Sequence, residues 1–152
     1  MALEVIRHHR LLELYLAEAL GYSWDKVHEE AERLEHVISE EFEEKIFEAL
    51  GRPTRDPHGD PIPAKDGTLV VAEHDRLSDL EPGATAVIRQ VSDTNAEILR
   101  YLGIRGLVPD AAVEVLDKAP FNGPLTVKTG ATAHVLGREV ASHIRVEPKG
   151  SS

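Results

Sequence analysis

Apolar side chains recur at helical spacing in the first third of the chain. Residues 2–20 mix apolar and charged side chains, and Val5, Leu12, Leu16 and Leu20 fall on one helical stripe. Gly21 follows the stripe, and glycine is common just beyond a helix end. The pattern predicts a first helix over residues 2–20.

Two serines precede further helical periodicity. Ser23 is a predicted N-cap for a second helix that ends near Ile38, with Val27, Ala31 and Leu34 on its apolar side. Ser39 stands before an acidic first turn, which suits a helix N-terminus, so it is the predicted cap of a third helix ending at Leu50. Residues 1–51 are therefore predicted to form a three-helix domain.

A proline-rich segment follows. Residues 52–66 contain four prolines and one glycine, which exclude regular secondary structure and indicate a linker or an extended strap. We predict a linker at 52–76. Asp56, His58 and Asp60 could imitate a metal site, although acids in such a loop more often stabilise the turn.

Beyond the linker the apolar spacing changes to alternation. Short predicted strands occur in ATAVIRQV, AAVEVLD, LTVKT and ASHIRV, and AEILRYLG predicts one helix. Strands of this length and spacing are typical of a small barrel. The prediction is an α+β protein whose second domain spans residues 77–149.

Charge and composition exclude several functions. The 152 residues carry a net charge of -10, and the first 50 hold 13 acids against 5 bases, which opposes nucleic-acid binding by the helices. There is no cysteine, which excludes disulfides and thiolate zinc sites. The sequence shows neither a secretion signal nor a membrane span, so we expect a cytoplasmic protein that does not contact membranes.

Histidines and glutamates at helical spacing predict metal ligands. His9 and Glu13 share a face of the first helix, and the second helix carries His28, Glu32, Glu35 and His36 within an arc of roughly 100°. Nitrogen and oxygen donors of this kind bind divalent cations. Taken alone, the pair on the first helix would more often be a solvated i,i+4 contact. His8 points away from His9 and is predicted to lie at the surface.

Three motifs and the barrel carry a family resemblance. The runs HHRLLELYL, DKVHEEAERLEHVISEEFEEKI and DPHGDPIP resemble the dimerisation and metal-sensing domain of the diphtheria-toxin-repressor family of metal-dependent transcriptional regulators. The segment from about Leu77 to Pro148 is similar to the five-stranded barrel of that family and of the bacterial ferrous-iron transport protein A. The family normally begins with a winged helix-turn-helix, to which nothing in this sequence corresponds.

The resemblance implies two metal sites. One uses His9, Glu13 and His28 with an acidic and an amide residue of the barrel, which carry over to Asp93 and Asn95. The other uses Glu32, Glu35 and His36 with a ligand from the N-terminal segment, so it is expected to be incomplete here.

The resemblance also bears on the metal. The iron regulators place a cysteine where this chain has Glu32, whereas manganese regulators place a glutamate, so the expected cofactor is Mn(II) or Fe(II). The barrel is commoner in iron-type members, which points the other way. Zn(II), Co(II) and Ni(II) can act as surrogates because imidazole and carboxylate also accept them.

The leading hypothesis is the metal-sensing and dimerising portion of a repressor of metal homeostasis, not an enzyme. It is expected to form a homodimer and to reach DNA only through an N-terminal domain absent from this chain. Two alternatives are a barrel-based protein-binding module that acts with a metal transporter, and a di-metal enzyme. The sequence contains neither paired Glu-x-x-His repeats nor His-Glu-x-x-His, which disfavours the enzyme.

Overall fold

The computed structural model describes residues 3–66, 68, 74–92 and 95–149. The chain divides into two compact units, Met1–Ala72 and Glu73–Ser152, called here the helical unit and the sheet unit. Within the described ranges, no helix has the length and apolar character needed to cross a membrane.

Three helices build the helical unit: α1 (Leu3–Glu18), α2 (Val27–Leu34) and α3 (Glu40–Ala49). Their buried apolar side chains form one core together with Ile62, which lies after α3; the core is made of Leu11, Leu12, Leu14, Leu16, Val27, Ala31, Ile46 and Ile62. Gly21 follows α1 with a φ of 75°, a left-handed conformation that glycine adopts without steric cost. The predicted stripe on the first helix is wrong at Leu20, which lies beyond the helix end and is 56% exposed.

The two predicted serine caps have different outcomes. Ser39 caps α3, because its hydroxyl oxygen accepts a hydrogen bond from the backbone N–H of Phe42 at 3.1 Å. Ser23 does not cap α2, which begins only at Val27 after a turn over residues 24–26. Lys26 occupies the N-cap position, and its side chain makes no capping hydrogen bond.

The proline-rich segment lies against the helices. Residues 53–64, called here the strap, contain an isolated β-bridge between Arg55 and Pro61. Arg10 of α1 donates a hydrogen bond to the carbonyl of Pro61 at 2.5 Å, and Ile62 belongs to the helical core. The sequence predicts either a linker or an extended strap for this segment, and residues 53–64 form a strap.

Among its described residues, the sheet unit contains six antiparallel strands in the order β1-β6-β2-β3-β4-β5. They are β1 (Asp75–Arg76), β2 (Thr85–Val91), β3 (Ala112–Lys118), β4 (Leu125–Thr129), β5 (Thr132–Leu136) and β6 (Ile144–Pro148). Two helices, α4 (Ala96–Ile104) and α5 (Arg138–Ser142), and a short 3-10 helix at Leu77–Asp79 complete it. The predicted α+β fold class is confirmed.

The strand predictions missed β1, β5 and the helix α5. Strand β1 has only two residues, and β5 lies at the sheet edge, where four of its five side chains are not buried, so neither shows an alternating apolar pattern. The predicted strand ASHIRV is wrong in its first half, because Ala141 and Ser142 end α5 and β6 begins at Ile144.

Candidate metal centre

Helices α1 and α2 bring three predicted ligands together. His9 and Glu13 lie one turn apart on α1, and His28 lies in the first turn of α2. His9 Nε2 is 3.1 Å from His28 Nδ1. Glu13 Oε2 is 3.5 Å from His9 Nε2 and 3.6 Å from His28 Nδ1. Because Glu13 is fully buried at 0% exposure, its carboxylate faces these rings away from bulk water.

The strap adds two further potential ligands near the same Glu13 carboxylate. His58 Nδ1 lies 3.6 Å from Glu13 Oε2 and 3.9 Å from Asp56 Oδ2. Asp56 and His58 are 5% and 0% exposed. The sequence predicts a turn role for these residues and does not place them among the metal ligands. The only local signal was an acid and a histidine two residues apart, which became informative once the strap folded onto α1.

Asp56 also performs the predicted turn function. Its Oδ1 accepts hydrogen bonds from the backbone N–H groups of His58 and Asp60, both at 2.9 Å. His58 is oriented by its other nitrogen, since Nε2 donates to the carbonyl of Trp24 at 2.7 Å and the two rings stack with centroids 5.7 Å apart. These contacts direct His58 Nδ1 towards Glu13, in the way a second hydrogen bond commonly fixes a ligand histidine.

The strap residues form a cluster that attracts positive charge. Burial by itself lowers the pKa of His58, but the neighbouring carboxylates of Asp56 and Glu13 outweigh it and raise the pKa to about 9. Burial opposes ionisation of Asp56, yet its contacts with His58 and Glu13 lower its pKa. The charge balance of the cluster therefore depends on a proton at His58.

The donor arrangement fits a divalent cation. Two groups, His9–Glu13–His28 and Glu13–Asp56–His58, each place one donor atom per residue within 4.8 Å of the others. Atoms bound about 2.0–2.2 Å from one cation are roughly 3 Å apart when adjacent in tetrahedral or octahedral geometry. The separations of 3.1 to 3.6 Å around Glu13 Oε2 and the His9–His28 pair approach that spacing. Glu13 is common to both groups.

Glu35 belongs to neither group but contacts a histidine of the first. It follows α2 as the C-cap residue and is 7% exposed. His9 Nδ1 donates to Glu35 Oε2 at 2.6 Å, while Glu35 Oε1 lies 3.4 Å from His36 Nε2. One carboxylate thus touches a ligand of each predicted set.

The rest of the second predicted set is exposed. The His36 side chain is 67% exposed, and Glu32 also faces solvent. In the part of the chain that the structure describes, no cluster of three potential ligands contains Glu32, Glu35 or His36.

Of the two barrel ligands implied by the resemblance, only one falls within the described residues. Asp93 lies outside the described residues. Asn95 is the N-cap of α4, where its Oδ1 accepts from the backbone N–H groups of Glu97 at 2.9 Å and Ile98 at 3.2 Å. Its side-chain oxygen is therefore already committed to the helix end.

Comparison with known families agrees with this donor chemistry. Residues 1–64 match the model of the iron dependent repressor metal-binding and dimerisation domain, and residues 76–148 match the FeoA domain. The iron-dependent repressor IdeR of Mycobacterium leprae is 33% identical over 159 residues, which cover 97% of this chain and 69% of the relative. The chain belongs to the iron-dependent repressor family. IdeR of Mycobacterium tuberculosis strain H37Rv is 34% identical over the same shares of both chains.

Solved structures of manganese-dependent family members are also similar. A manganese-dependent transcriptional repressor in complex with manganese has 38% identity and a TM-score of 0.93 over 97% of this chain and 70% of its own. The manganese regulator SloR has 31% identity and a TM-score of 0.82 over 97% of this chain and 68% of its own. The predicted family, repressor function and metal-dependent cofactor class are confirmed. The relatives are transcriptional repressors rather than enzymes.

Proposed function

We propose that the helical unit senses Mn(II) or Fe(II) through a centre built around Glu13. The ligands are His9, Glu13 and His28 from the helices, joined by Asp56 and His58 from the strap. A bound cation links α1, α2 and the strap, so it favours the arrangement in which these three segments meet. Metal changes repressor activity to the extent that it binds this arrangement better than others.

One observation carries the proposal. Glu13 Oε2, fully buried, lies within 3.6 Å of nitrogens of three histidines, His9, His28 and His58. Three imidazoles converging on one buried carboxylate are costly to assemble unless a cation or protons compensate the desolvated charge. The donors are nitrogen and oxygen alone, as the absence of cysteine requires, and carboxylate with imidazole suits Mn(II) and Fe(II).

The second predicted set is proposed as half of another site. Glu32, Glu35 and His36 follow one another at the end of α2, and the exposure of Glu32 and His36 leaves them accessible to a ligand from another segment. Glu32, in place of the cysteine of iron-type members, favours Mn(II) at this site.

DNA contact is assigned to residues outside these 152. The chain spans about 70% of the length of the relatives, and the excess of acids over bases in the helices opposes phosphate binding. A homodimer formed through the helical unit would place two metal centres in one repressor, as the dimerisation domain of the family model implies. Gel-shift assays with this chain and excess Mn(II) are expected to show no specific retardation, and a specific shift contradicts the assignment.

Metal titration of a Glu13→Gln variant tests the centre. Calorimetry with Mn(II), and with Fe(II) under anaerobic conditions, should show at least a 100-fold loss of affinity, because the substitution removes the carboxylate shared by both donor groups. The stoichiometry in the wild type decides how Glu13 is used. One metal ion per chain indicates that both groups share a single cation, and two indicate that Glu13 bridges two cations.

Glu41→Gln is the matched control. Glu41 is an exposed residue of α3. Its replacement by Gln removes the same charge from the same unit without changing a proposed metal donor. Equal affinities of the Glu13 and Glu41 variants would refute the centre. Replacing His58 with Ala should also weaken binding, which separates the proposed strap contribution from a site made of α1 and α2 alone.

A further inference from the structure

Three charged or titratable side chains are buried beside the metal centre without belonging to either donor group. Arg7, His8 and Glu43 are 4%, 7% and 3% exposed. The Arg7 Nε–H donates to Glu43 Oε1, and His8 Nε2 donates to Glu43 Oε2 at 2.7 Å. His8, predicted to lie at the surface, is in fact part of this buried trio because α3 brings Glu43 against it.

The trio also reaches outwards to two backbone carbonyls. Arg7 Nη1 donates to the carbonyl of Pro63 in the strap at 2.9 Å, and its guanidinium lies 4.6 Å from the ring centroid of Phe47. His8 Nδ1 lies 3.2 Å from the carbonyl of Glu35, the residue that ends α2. The trio therefore connects α1 and α3 to the strap and to the end of α2.

Each segment held in this way carries proposed metal donors. Helix α1 carries His9 and Glu13, and the strap carries Asp56 and His58. The end of α2 carries Glu35, whose own carboxylate accepts from His9 Nδ1 at 2.6 Å. A shift of the Glu35 backbone therefore also changes the orientation of a histidine in the first donor group.

Stability alone is a weak reason for burying these charges. Desolvation of a buried ion pair often cancels the attraction, and apolar residues of similar volume are frequently as stable or more stable. Hydrogen-bonding partners behind metal ligands, in contrast, commonly affect metal affinity 10- to 100-fold because they orient the ligands.

We propose that Arg7, His8 and Glu43 are positioning residues for the metal centre, with Glu43 at the middle of the contact. They hold the strap and the end of α2 at fixed distances from α1, so that the donors on three segments converge before the cation arrives. The inference rests on the proposed metal-sensing function. It adds residues that touch no metal and act through the carbonyls of Glu35 and Pro63.

The first test is the affinity of a Glu43→Gln variant for Mn(II), measured by calorimetry well below its unfolding temperature. The amide cannot accept from both Arg7 and His8, so we expect affinity 10- to 100-fold weaker than wild type. Ile46→Val is the control, since Ile46 is 3% exposed on the same helix and belongs to the apolar core. It should lower stability while leaving Mn(II) affinity unchanged.

A second variant avoids leaving Arg7 buried without its partner. The triple replacement Arg7→Met, His8→Leu and Glu43→Leu removes all the charges together. In the presence of a chelator we expect its stability to equal or exceed that of the wild type, while Mn(II) affinity falls at least 10-fold. If the trio were purely structural, the triple variant would lose stability but keep the Mn(II) affinity of the wild type.

Affinities within threefold of the wild type in both variants would overturn the positioning role, while leaving the proposed function intact as long as the wild type binds Mn(II). Failure of the wild type itself to bind Mn(II) or Fe(II) would overturn both.

Discussion

The two units bury very different side chains. Among the residues that the structure describes, the helical unit buries eight apolar and eight polar or charged residues, whereas the sheet unit buries fifteen apolar residues and one polar residue, Ser78. Burying a polar group costs free energy unless it is paired, and burying a charge costs more. The helical unit sustains that cost at the place where the donors converge.

The difference indicates that the sheet unit is built for stability, whereas the helical unit also has to hold charged metal donors. The sheet unit resembles an ordinary apolar core between antiparallel strands, and its single polar exception needs no functional explanation. The helical unit holds Glu13, Asp56 and His58 in a setting where a cation or a proton compensates their charge. We therefore expect substitutions in the sheet unit to act on stability, and substitutions of the buried polar residues of the helical unit to act on metal binding as well.

The largest expected effect is a stability loss in the sheet unit. Leu99 of α4 is 1% exposed, so Leu99→Ala should cost about 2–5 kcal/mol of unfolding free energy through lost burial and a cavity. Chemical denaturation followed by circular dichroism measures the loss. Mn(II) affinity of the folded variant should stay at the wild-type value. A large fall in affinity would contradict the expectation that substitutions in the sheet unit act on stability alone.

The pH dependence of the helical unit should reveal His58. Its pKa is about 9 when folded, against 6.5 for an ordinary histidine, so its protonation stabilises the metal-free fold fully below about pH 6.5. The contribution, up to about 3 kcal/mol, is lost as the pH rises towards 9. Denaturation curves of wild type and His58→Gln in a chelator, at pH 6, 7.5 and 9, test it.

Trp24 reports this transition, because it is the only tryptophan and stacks on His58. The stability difference between the two proteins should shrink as the pH rises. A difference that is the same at all three pH values contradicts the role of the His58 proton.

Metal addition should stabilise one unit more than the other. Mn(II) at 100 times its dissociation constant stabilises the fold that binds it by about 2.7 kcal/mol. Thermal unfolding followed by Trp24 fluorescence should shift upwards, and a chelator should reverse the shift. Amide hydrogen exchange separates the units, since protection should rise in α1, α2 and the strap. An equal rise throughout β2, β3 and β4 would count against a centre confined to the helical unit.

The smallest effect is expected at a helix end away from the donors. Ser39→Ala removes the capping hydrogen bond to Phe42 and should cost about 1 kcal/mol. Asn95→Ala offers the parallel test in the sheet unit, where two capping hydrogen bonds disappear. Urea denaturation measures both losses. A marked change in Mn(II) affinity for Asn95→Ala would instead support the metal role that the family resemblance implied.

The two serine caps show where local signals suffice. Ser39 caps its helix because its hydroxyl needs only a backbone N–H three residues ahead, a contact set by neighbouring residues. Ser23 is also a serine placed before a helical pattern. The next residue, Trp24, stacks on His58 and accepts a hydrogen bond from it through its backbone carbonyl, although His58 lies thirty-four residues away. The start of α2 is therefore determined by a contact that no local pattern contains.

Buried charge shows the same division. The spacing of His9 and Glu13 was enough to predict that they share one helix face, since helical geometry alone aligns residues four apart, whereas their metal role was implied by the family resemblance. The positions of His8 and Asp56 were not predictable in this way. Each is buried because a distant segment covers it: α3 in the first case and the packing of the strap against α1 in the second.

By itself, the sequence determined the helical and alternating segments, the nitrogen and oxygen donor chemistry and the family, because these depend on residue types and on spacing within single elements. Only the tertiary structure decided which donors meet. In the folded chain, Asp56 and His58 lie near Glu13, Asn95 caps a helix N-terminus, and Glu43 lies between Arg7 and His8. Convergence of side chains from separate segments is set by packing between those segments, and the spacing along any one of them does not encode it.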